Sequence, residues 1–269
     1  MSESLPQTWH YGLVARWWAE FNTADAEELA FYQEFIAGDG QPALDLACGA
    51  GRLLLPMLRA GLDVDGCDIS PDMLARCREL AAAEGLRPRL YQQAMHELDL
   101  PRAYRTMYIC DSFGIGAGRE EDMETLRRCH ALLAPGGTLL FNLYLPYGEL
   151  ERWNTWLPER LSDLPEPWPD EETRKRAADG DEIGFSSRLF AFDPLWLQQA
   201  LQIRSRLWRD DVLVQEEERI LLMNLYFHPE MMLMLATAGF AAVDVRSGYS
   251  AAPPALTDPM LVYVARKAG

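Results

Sequence analysis

The chain has 269 residues, and its 49% hydrophobic and 10% aromatic side chains are typical of a well-packed globular protein. Its formal net charge of −16 would repel a phosphate backbone, so we expect no nucleic-acid partner. No apolar run approaches the ~20 residues that span a bilayer, and the polar start does not resemble a signal peptide. The five cysteines show no metal-binding spacing. These features predict a cytoplasmic protein with reduced thiols, no metal and no membrane contact.

The first part of the chain predicts two helices. Residues 7–38 carry apolar faces at helical spacing, and the polar run 22–25 offers caps for a second helix. The run Gly-Asp-Gly-Gln-Pro at 38–42 then ends the helical pattern.

From residue 43 the pattern alternates between strand and helix. We predict strands at 43–48, 63–68, 89–93, 106–110 and 138–144, and helices at 52–60, 70–84 and 120–133. One helix start is well marked, since Ser70 can serve as N-cap and Pro71 suits the first helical position. Alternating units of this kind predict a parallel sheet with helices on both faces.

The second half of the chain predicts an insertion and a return to the core. Residues 145–182 are rich in proline and tryptophan and predict loops or short helices. Antiparallel strands are predicted at 184–192, 199–208 and 212–223, and the chain closes with a helix at 228–238 and strands at 242–246 and 260–265. We therefore expect a core of 1–144 and 228–269, covered by the helices of 7–38, with an antiparallel β cap or lid at 145–227.

A glycine loop follows the first predicted strand. Residues 43–52 read Ala-Leu-Asp-Leu-Ala-Cys-Gly-Ala-Gly-Arg, and Leu54 occupies the position where a dinucleotide-binding loop needs its third glycine. Gly49 and Gly51 permit the close backbone approach that S-adenosylmethionine requires. Asp45 could pair with the ammonium group of that ligand, and Asp68 could accept its ribose hydroxyls. Taken singly, either aspartate could instead cap a turn or a helix.

Three segments resemble the class I S-adenosylmethionine-dependent methyltransferases. They are 44–52, 66–74 and 132–139, and the helix and hairpin at the end of the chain also resemble the family. The resemblance implies an α/β fold with a Rossmann-like, seven-stranded, mostly parallel sheet whose last strand is antiparallel. The insertion is similar to the lid of small-molecule members such as the sugar N-methyltransferases.

The resemblance also implies the residues that bind S-adenosylmethionine, which would leave as S-adenosylhomocysteine. Asp45, Gly49 and Gly51 should line its methionine part, Asp68 its ribose, and Ile69 and Met73 its adenine. The remaining implied contacts are Ala47, Ala94, Met95, Cys110, and Tyr11 and Trp17 as a cover. Family members often carry an acidic residue at the position of Ala94, so adenine recognition here should rest on the backbone of 94–95 or on Gln93.

Candidate catalytic and substrate residues follow the predicted strands. In-line methyl transfer needs a base only when the acceptor arrives protonated. Asp111, after the fourth strand, and His96, after the third, are the candidates, although a turn cap and an ordinary surface histidine are the alternatives. Tyr144, Tyr147 and Arg204 are candidate substrate contacts. Arg204 could equally pair with the glutamates at 216–218.

These observations predict a methyltransferase acting on the nitrogen or oxygen of a small molecule, as a monomer or homodimer. The alternatives are a related transferase that uses an S-adenosyl cofactor, such as an aminopropyltransferase, and a regulatory protein that binds the cofactor without catalysis.

Overall fold

The computed structural model describes residues 10–146 and 156–269. Within these ranges the chain divides into two compact units. The core unit comprises 23–113, 119–146 and 226–269, and the insertion unit comprises 10–22, 114–118 and 156–225. No helix in the described ranges combines the length and the apolar character needed to cross a membrane.

The core unit is built on a seven-stranded sheet. Its strands are β1 (Ala43–Leu46), β2 (Val64–Asp68), β3 (Leu90–Gln92), β4 (Tyr104–Ile109), β5 (Leu133–Tyr144), β10 (Ala242–Ser247) and β11 (Met260–Arg266). The strand order is β3-β2-β1-β4-β5-β11-β10. Strands β1 to β5 pair in parallel, while β11 is antiparallel to both of its neighbours. The predicted fold class, including the antiparallel last strand, is confirmed.

Helices cover both faces of this sheet. They are α2 (Ala26–Asp39), α3 (Leu54–Arg59), α4 (Pro71–Ala83), α5 (Arg119–Leu132) and α7 (His228–Ala238), with a 3-10 turn at Met95–Glu97. Successive side chains of β4 alternate between two apolar clusters: Met107 and Ile109 enter one, and Tyr108 enters the other. All five cysteines are buried free thiols, as predicted.

The insertion unit contains a four-stranded antiparallel sheet and two helices. These are α1 (Gly12–Phe21), α6 (Pro158–Leu161), β6 (Thr173–Arg176), β7 (Glu182–Asp193), β8 (Gln198–Arg209) and β9 (Val212–Asn224). Helix α1 packs on this sheet, where the Trp17 ring stacks on Phe185 at 5.2 Å between centroids. The Glu217 carboxylate accepts the Leu13 N–H at 3.2 Å and so caps the start of α1. A Cβ on Gly12 would lie 2.5 Å from that carboxylate.

Two local predictions were wrong. Strand β6 lies in the segment predicted to be loop or short helix, because Thr-Arg-Lys-Arg at an exposed sheet edge lacks the alternation of apolar side chains that marks a strand. Strand β5 begins at Leu133 instead of residue 138. The Pro-Gly-Gly run at 135–137 does not interrupt it, because an irregular register opposite β4 absorbs these residues.

The first two helices belong to different units. Helix α1 groups with the insertion strands, and α2 groups with the core sheet. From the sequence we expect both helices to cover the core. The predicted division of the chain into a core and a lid stays a prediction.

Candidate functional site

The glycine loop leaves β1 in a conformation that favours small residues. The φ angles of Ala47, Gly49 and Gly51 are 56°, 53° and 91°, all in the left-handed region. A Cβ on Gly51 would lie 2.8 Å from Leu55 Cγ and 2.9 Å from Cys77 Sγ. Gly51 therefore lets the loop turn tightly into α3 while α4 packs against it.

Asp68 closes this loop from the end of β2. One oxygen of its buried carboxylate accepts the Gly49 N–H, and the other accepts the Ser70 N–H, both at 2.8 Å. Burial raises the pKa of Asp68, and these N–H donors oppose the rise. A carboxylate has about four lone-pair sites and the Ile69 N–H takes a third, so Asp68 can still accept a ligand hydroxyl.

Asp45 is a buried carboxyl in the middle of the parallel sheet. It lies opposite Tyr108 of β4 and is 3% exposed. Burial raises the pKa of Asp45 to about 8, although the nearby Arg52 guanidinium opposes the rise. The Tyr108 hydroxyl beside it is fully buried, and its interaction with the Asp45 carboxyl also opposes the rise of that pKa. A polar ligand group at this place would satisfy both side chains.

The predicted adenine contacts differ in exposure. Met73 and Ala94 are buried, Met95 is half-buried, and Ile69 is 42% exposed. The side chain of Gln93 forms hydrogen bonds with the backbone of Asp99, so it already has partners within its own loop. The adenine assignments stay predictions.

Asp111 follows β4 in a strained conformation and is held by Asn142 of β5. Its φ is +54°, which costs energy in any residue with a side chain, although aspartate and asparagine tolerate it best. The Asn142 amide oxygen accepts the Asp111 N–H at 2.8 Å, and its NH₂ group donates to the Asp111 carboxylate at 2.5 Å. Asn142 is 2% exposed, whereas the Asp111 side chain is 40% exposed. A rigid amide thus holds a carboxylate that faces solvent.

A polar cluster surrounds the base of Asp111. Arg52 forms an ion pair with the buried Glu28, and its guanidinium also lies 3.1 Å from Cys110 Sγ and 3.5 Å from the Asp111 carboxylate. The Cys110 thiol donates to Glu28 at 2.8 Å, and the Tyr249 hydroxyl donates to the same glutamate at 3.3 Å. The ligand atoms of Glu28, Cys110 and Asp111 lie within 4.8 Å of one another, a spacing that suits a metal ion. The Arg52 cation already bridges them.

Two further predicted substrate residues follow β5. Tyr144 is 58% exposed, and partial burial of its hydroxyl together with the neighbouring Asp111 carboxylate raises the pKa of Tyr144 to about 12. Asp111 and Tyr144 are therefore neighbours, because they follow the adjacent parallel strands β4 and β5. Tyr147 lies outside the described residues.

The other predicted site residues have partners elsewhere. His96 Nε2 lies 3.8 Å from Glu121 Oε1 at the start of α5. In the insertion unit, Trp17 is buried in the sheet contact of α1, the Tyr11 ring lies 6.0 Å from the Arg219 guanidinium, and Arg204 pairs with Glu218 at 2.6 Å. Their predicted functional roles remain untested.

Four residues of the cluster were missed at the level of sequence: Glu28, Arg52, Asn142 and Tyr249. Arg52 had a visible signal, since it directly follows the glycine loop. Asn142 is also polar within an otherwise apolar strand, which is unusual enough to mark. Glu28 reaches the site from α2, and Tyr249 reaches it from the loop after β10. No local sequence pattern indicates that either residue lies at the site.

The glycine loop, the Asp68 contact and the strand order can be compared with those of known proteins. The family described as the methyltransferase domain matches residues 43–137, from β1 to the start of β5. Residues 43–137 are therefore similar in sequence to a methyltransferase domain. The matched residues contain the glycine loop, Asp45, Asp68 and Asp111, so the predicted resemblance to class I methyltransferases is confirmed.

Relatives of this methyltransferase domain are found by sequence and by structure. A methyltransferase of Geobacillus sp. (strain WCH70) is 33% identical over 105 residues, which cover 39% of this chain and 42% of that protein. The chain thus matches less than half the length of this relative.

Two solved structures share the fold over most of their length. An S-adenosylmethionine-dependent methyltransferase of Clostridium acetobutylicum ATCC 824 superposes with a TM-score of 0.71 at 16% identity, covering 92% of this chain and 94% of that one. A sugar N-methyltransferase of Streptoalloteichus sp. ATCC 53650 gives a TM-score of 0.70 at 15% identity, covering all of both chains. At these identities the two structures establish the fold.

Proposed function

We propose that this protein is an S-adenosylmethionine-dependent methyltransferase that acts on a nitrogen or oxygen atom of a small molecule. The observation that carries the proposal is the Asp68 carboxylate, which is fixed by the Gly49 and Ser70 N–H groups at the end of β2 within the methyltransferase domain. The sugar N-methyltransferase with the same fold supports a small acceptor, and the net charge of −16 disfavours a nucleic acid.

The residues present fit an aminoacyl nucleoside. The glycine loop offers backbone without side chains in the way, and the buried Asp45 and Tyr108 side chains offer partners for a polar head group. Asp68 would hold the ribose through its free lone pairs. Arg52 is a cation beside the loop and could receive a carboxylate. This set of donors and acceptors matches the charged amino-acid end and the ribose of S-adenosylmethionine.

Methyl transfer requires the protein mainly to position the methyl donor and the acceptor. When bound, the cofactor supplies a methyl group activated by a positively charged sulfur. The loop and Asp68 fix the position of the donor, and Asp111 and Tyr144 offer polar and aromatic surface for an acceptor. Holding two reactants in line in this way supplies a large part of the rate enhancement in a bimolecular transfer.

The test is a binding and turnover measurement with Asp68→Ala. We expect wild type to bind S-adenosylmethionine by calorimetry and to release S-adenosylhomocysteine with at least one member of a panel of small amines and alcohols. Asp68→Ala should weaken cofactor binding at least about ten-fold, because it removes a buried hydrogen-bonding carboxylate. Asp72→Asn, on the exposed start of α4, is the matched control and should bind like wild type.

Two outcomes would change the conclusion. Unchanged affinity in Asp68→Ala, with the fold confirmed by circular dichroism, would rule out the ribose assignment. Tight binding by wild type without turnover of any panel member would favour a regulatory protein that binds the cofactor without catalysis.

A further inference from the structure

Asp111 and Asn142 form a pair whose geometry the transfer of a methyl group does not by itself explain. Asn142 uses both ends of its amide on a single residue, one on the Asp111 backbone and one on its carboxylate. The backbone of Asp111 is held in the left-handed region while its side chain stays 40% exposed. A cap of a turn would satisfy its own loop, whereas this carboxylate is presented outward by a buried neighbour.

The charges around Asp111 leave a negative excess. The groups that face it are Glu28 from α2, Arg52 from the loop after β1, Cys110 of β4, Tyr144 of β5 and Tyr249 from the loop after β10. Arg52 is the one cation among these groups, and it stands against two carboxylates. The Tyr32 hydroxyl beside Cys110 is fully buried and adds no cation to the cluster. The cluster therefore favours a ligand that brings positive charge and hydrogen-bond donors.

We propose that Asp111 is the receptor for a protonated amine acceptor, with Asn142 as the residue that positions it. The proposal rests on the proposed function and narrows its acceptor from nitrogen or oxygen to an amine nitrogen. The ammonium would donate to the outward face of the carboxylate, and the exposed ring of Tyr144 would offer an aromatic face to the same cation.

The transfer moves one proton and one methyl group. The bound ammonium gives one proton to the Asp111 carboxylate and becomes a neutral amine with a free lone pair. The nitrogen–carbon bond forms as the methyl–sulfur bond breaks, so the products are a methylated ammonium and S-adenosylhomocysteine. Asp111 releases its proton to water from its exposed side. A hydroxyl acceptor would fit less well, because it brings no positive charge to the carboxylate and forms no charge-assisted ion pair with it.

The experiment uses two probes and needs no acceptor. S-adenosylhomocysteine lacks the methyl group, and sinefungin carries an ammonium on a carbon that replaces the sulfur, so it places a cation where the transferred methyl would lie. We expect wild type to prefer sinefungin about ten-fold, as a charge-assisted hydrogen bond would give. Asp111→Asn, which keeps the backbone tolerance, should lose this preference while its affinity for S-adenosylhomocysteine stays within about two-fold of wild type. Glu79→Gln, an exposed charge change on α4, should keep it.

Two variants of Asn142 separate positioning from folding. Asn142→Leu is close in size and removes both contacts, so the preference should fall toward that of Asp111→Asn. Asn142→Asp keeps an acceptor for the Asp111 N–H but replaces the NH₂ donor with a carboxylate that repels the Asp111 carboxylate, so the preference should fall here too. A purely structural role would lower thermal stability in both variants and leave the ratio of the two affinities unchanged.

The outcomes are distinct. Equal affinity of wild type for the two probes, or a preference that survives in Asp111→Asn, would overturn the amine receptor and leave the proposed function standing. A preference that survives in both Asn142→Leu and Asn142→Asp would overturn the positioning role. Failure of wild type to bind either probe would overturn the proposed function itself.

Discussion

At the scale of single residues, Asp45 is a carboxyl group buried among apolar strand residues. It sits in a four-residue strand that is buried along its whole length. A carboxyl at such a place is retained at a cost in stability unless a partner arrives. We interpret the cost as the consequence of a site built to meet a positively charged ligand group.

The destabilisation caused by burying Asp45 depends on pH. The folded-state pKa of Asp45 is about 8 against an ordinary value of 3.8. Between about pH 4 and pH 8 the unfolded chain has lost this proton while the folded chain keeps it, so the contribution of Asp45 to stability falls as pH rises through that window.

Asp45→Asn should therefore be more stable than wild type without ligand, and its advantage should grow by a few kcal/mol from pH 5 to pH 8. Urea unfolding at the two pH values measures the difference between the proteins. Glu79→Gln is the control and should show no such growth. A constant difference between Asp45→Asn and wild type would show that Asp45 is ionised in the folded state across the window.

Single residues also show how far the sequence predicts the site. Ser70 and Pro71 act locally, and α4 begins at Pro71 with the Ser70 hydroxyl accepting the Met73 N–H at 3.2 Å, as the cap predicts. Asp111 was identified because it follows a strand at the ligand-binding edge of a parallel sheet. Its partner Asn142 is a neighbour only through the pairing of β4 with β5, so no spacing along the chain reveals the contact.

At the scale of elements, the antiparallel sheet of the insertion unit depends on tight turns. Strands β8 and β9 are joined at Asp210 and Asp211, whose φ values are 50° and 61°. Positive φ at both central positions defines a type I′ turn, which favours asparagine followed by glycine. The predicted strands 199–208 and 212–223 leave this turn between them. Aspartate tolerates positive φ better than most residues, but glycine at the second position would carry no strain, and the two aspartates repel each other.

Replacing Asp210-Asp211 by Asn-Gly should stabilise the protein by about 1 kcal/mol, because it removes a strained side chain and two like charges. Thermal unfolding would show this as a higher midpoint. The matched control is Asp193→Asn, which lies in another turn of the same sheet and accepts the Leu195 N–H. A lower midpoint for Asn-Gly would mean that the two aspartates have stabilising partners in solution.

At the scale of the whole molecule, the chain consists of two units with separate apolar cores. The core unit contains both clusters that cover the parallel sheet, and the insertion unit has its own clusters around α1. The sequence predicted the parallel core well because each βα repeat is local. The contacts of α1 could not be predicted in the same way, because α1 contacts strands that lie more than 160 residues further along the chain.

The two cores should respond independently to damage. Phe185→Ala removes the ring on which Trp17 stacks, at a cost of about 3 kcal/mol, and should lower amide protection in α1 and β7–β9 while β1 and β2 keep theirs. Phe240→Ala, in the core unit, is the matched variant and should show the reverse pattern. Hydrogen exchange followed by mass spectrometry measures amide protection in both variants. Equal loss of protection throughout the chain in both variants would show one cooperative unit.

The burial of the cysteines has a practical consequence for studying the protein at work. Burial raises the pKa of all five thiols, so the reactive thiolate is scarce at neutral pH. A cysteine introduced at an exposed position should therefore be the fast-reacting thiol in an otherwise native background. A dye attached at Glu79 of the core unit, or at Asp193 of the insertion unit, would turn the protein into a fluorescent reporter of ligand binding in an otherwise native background.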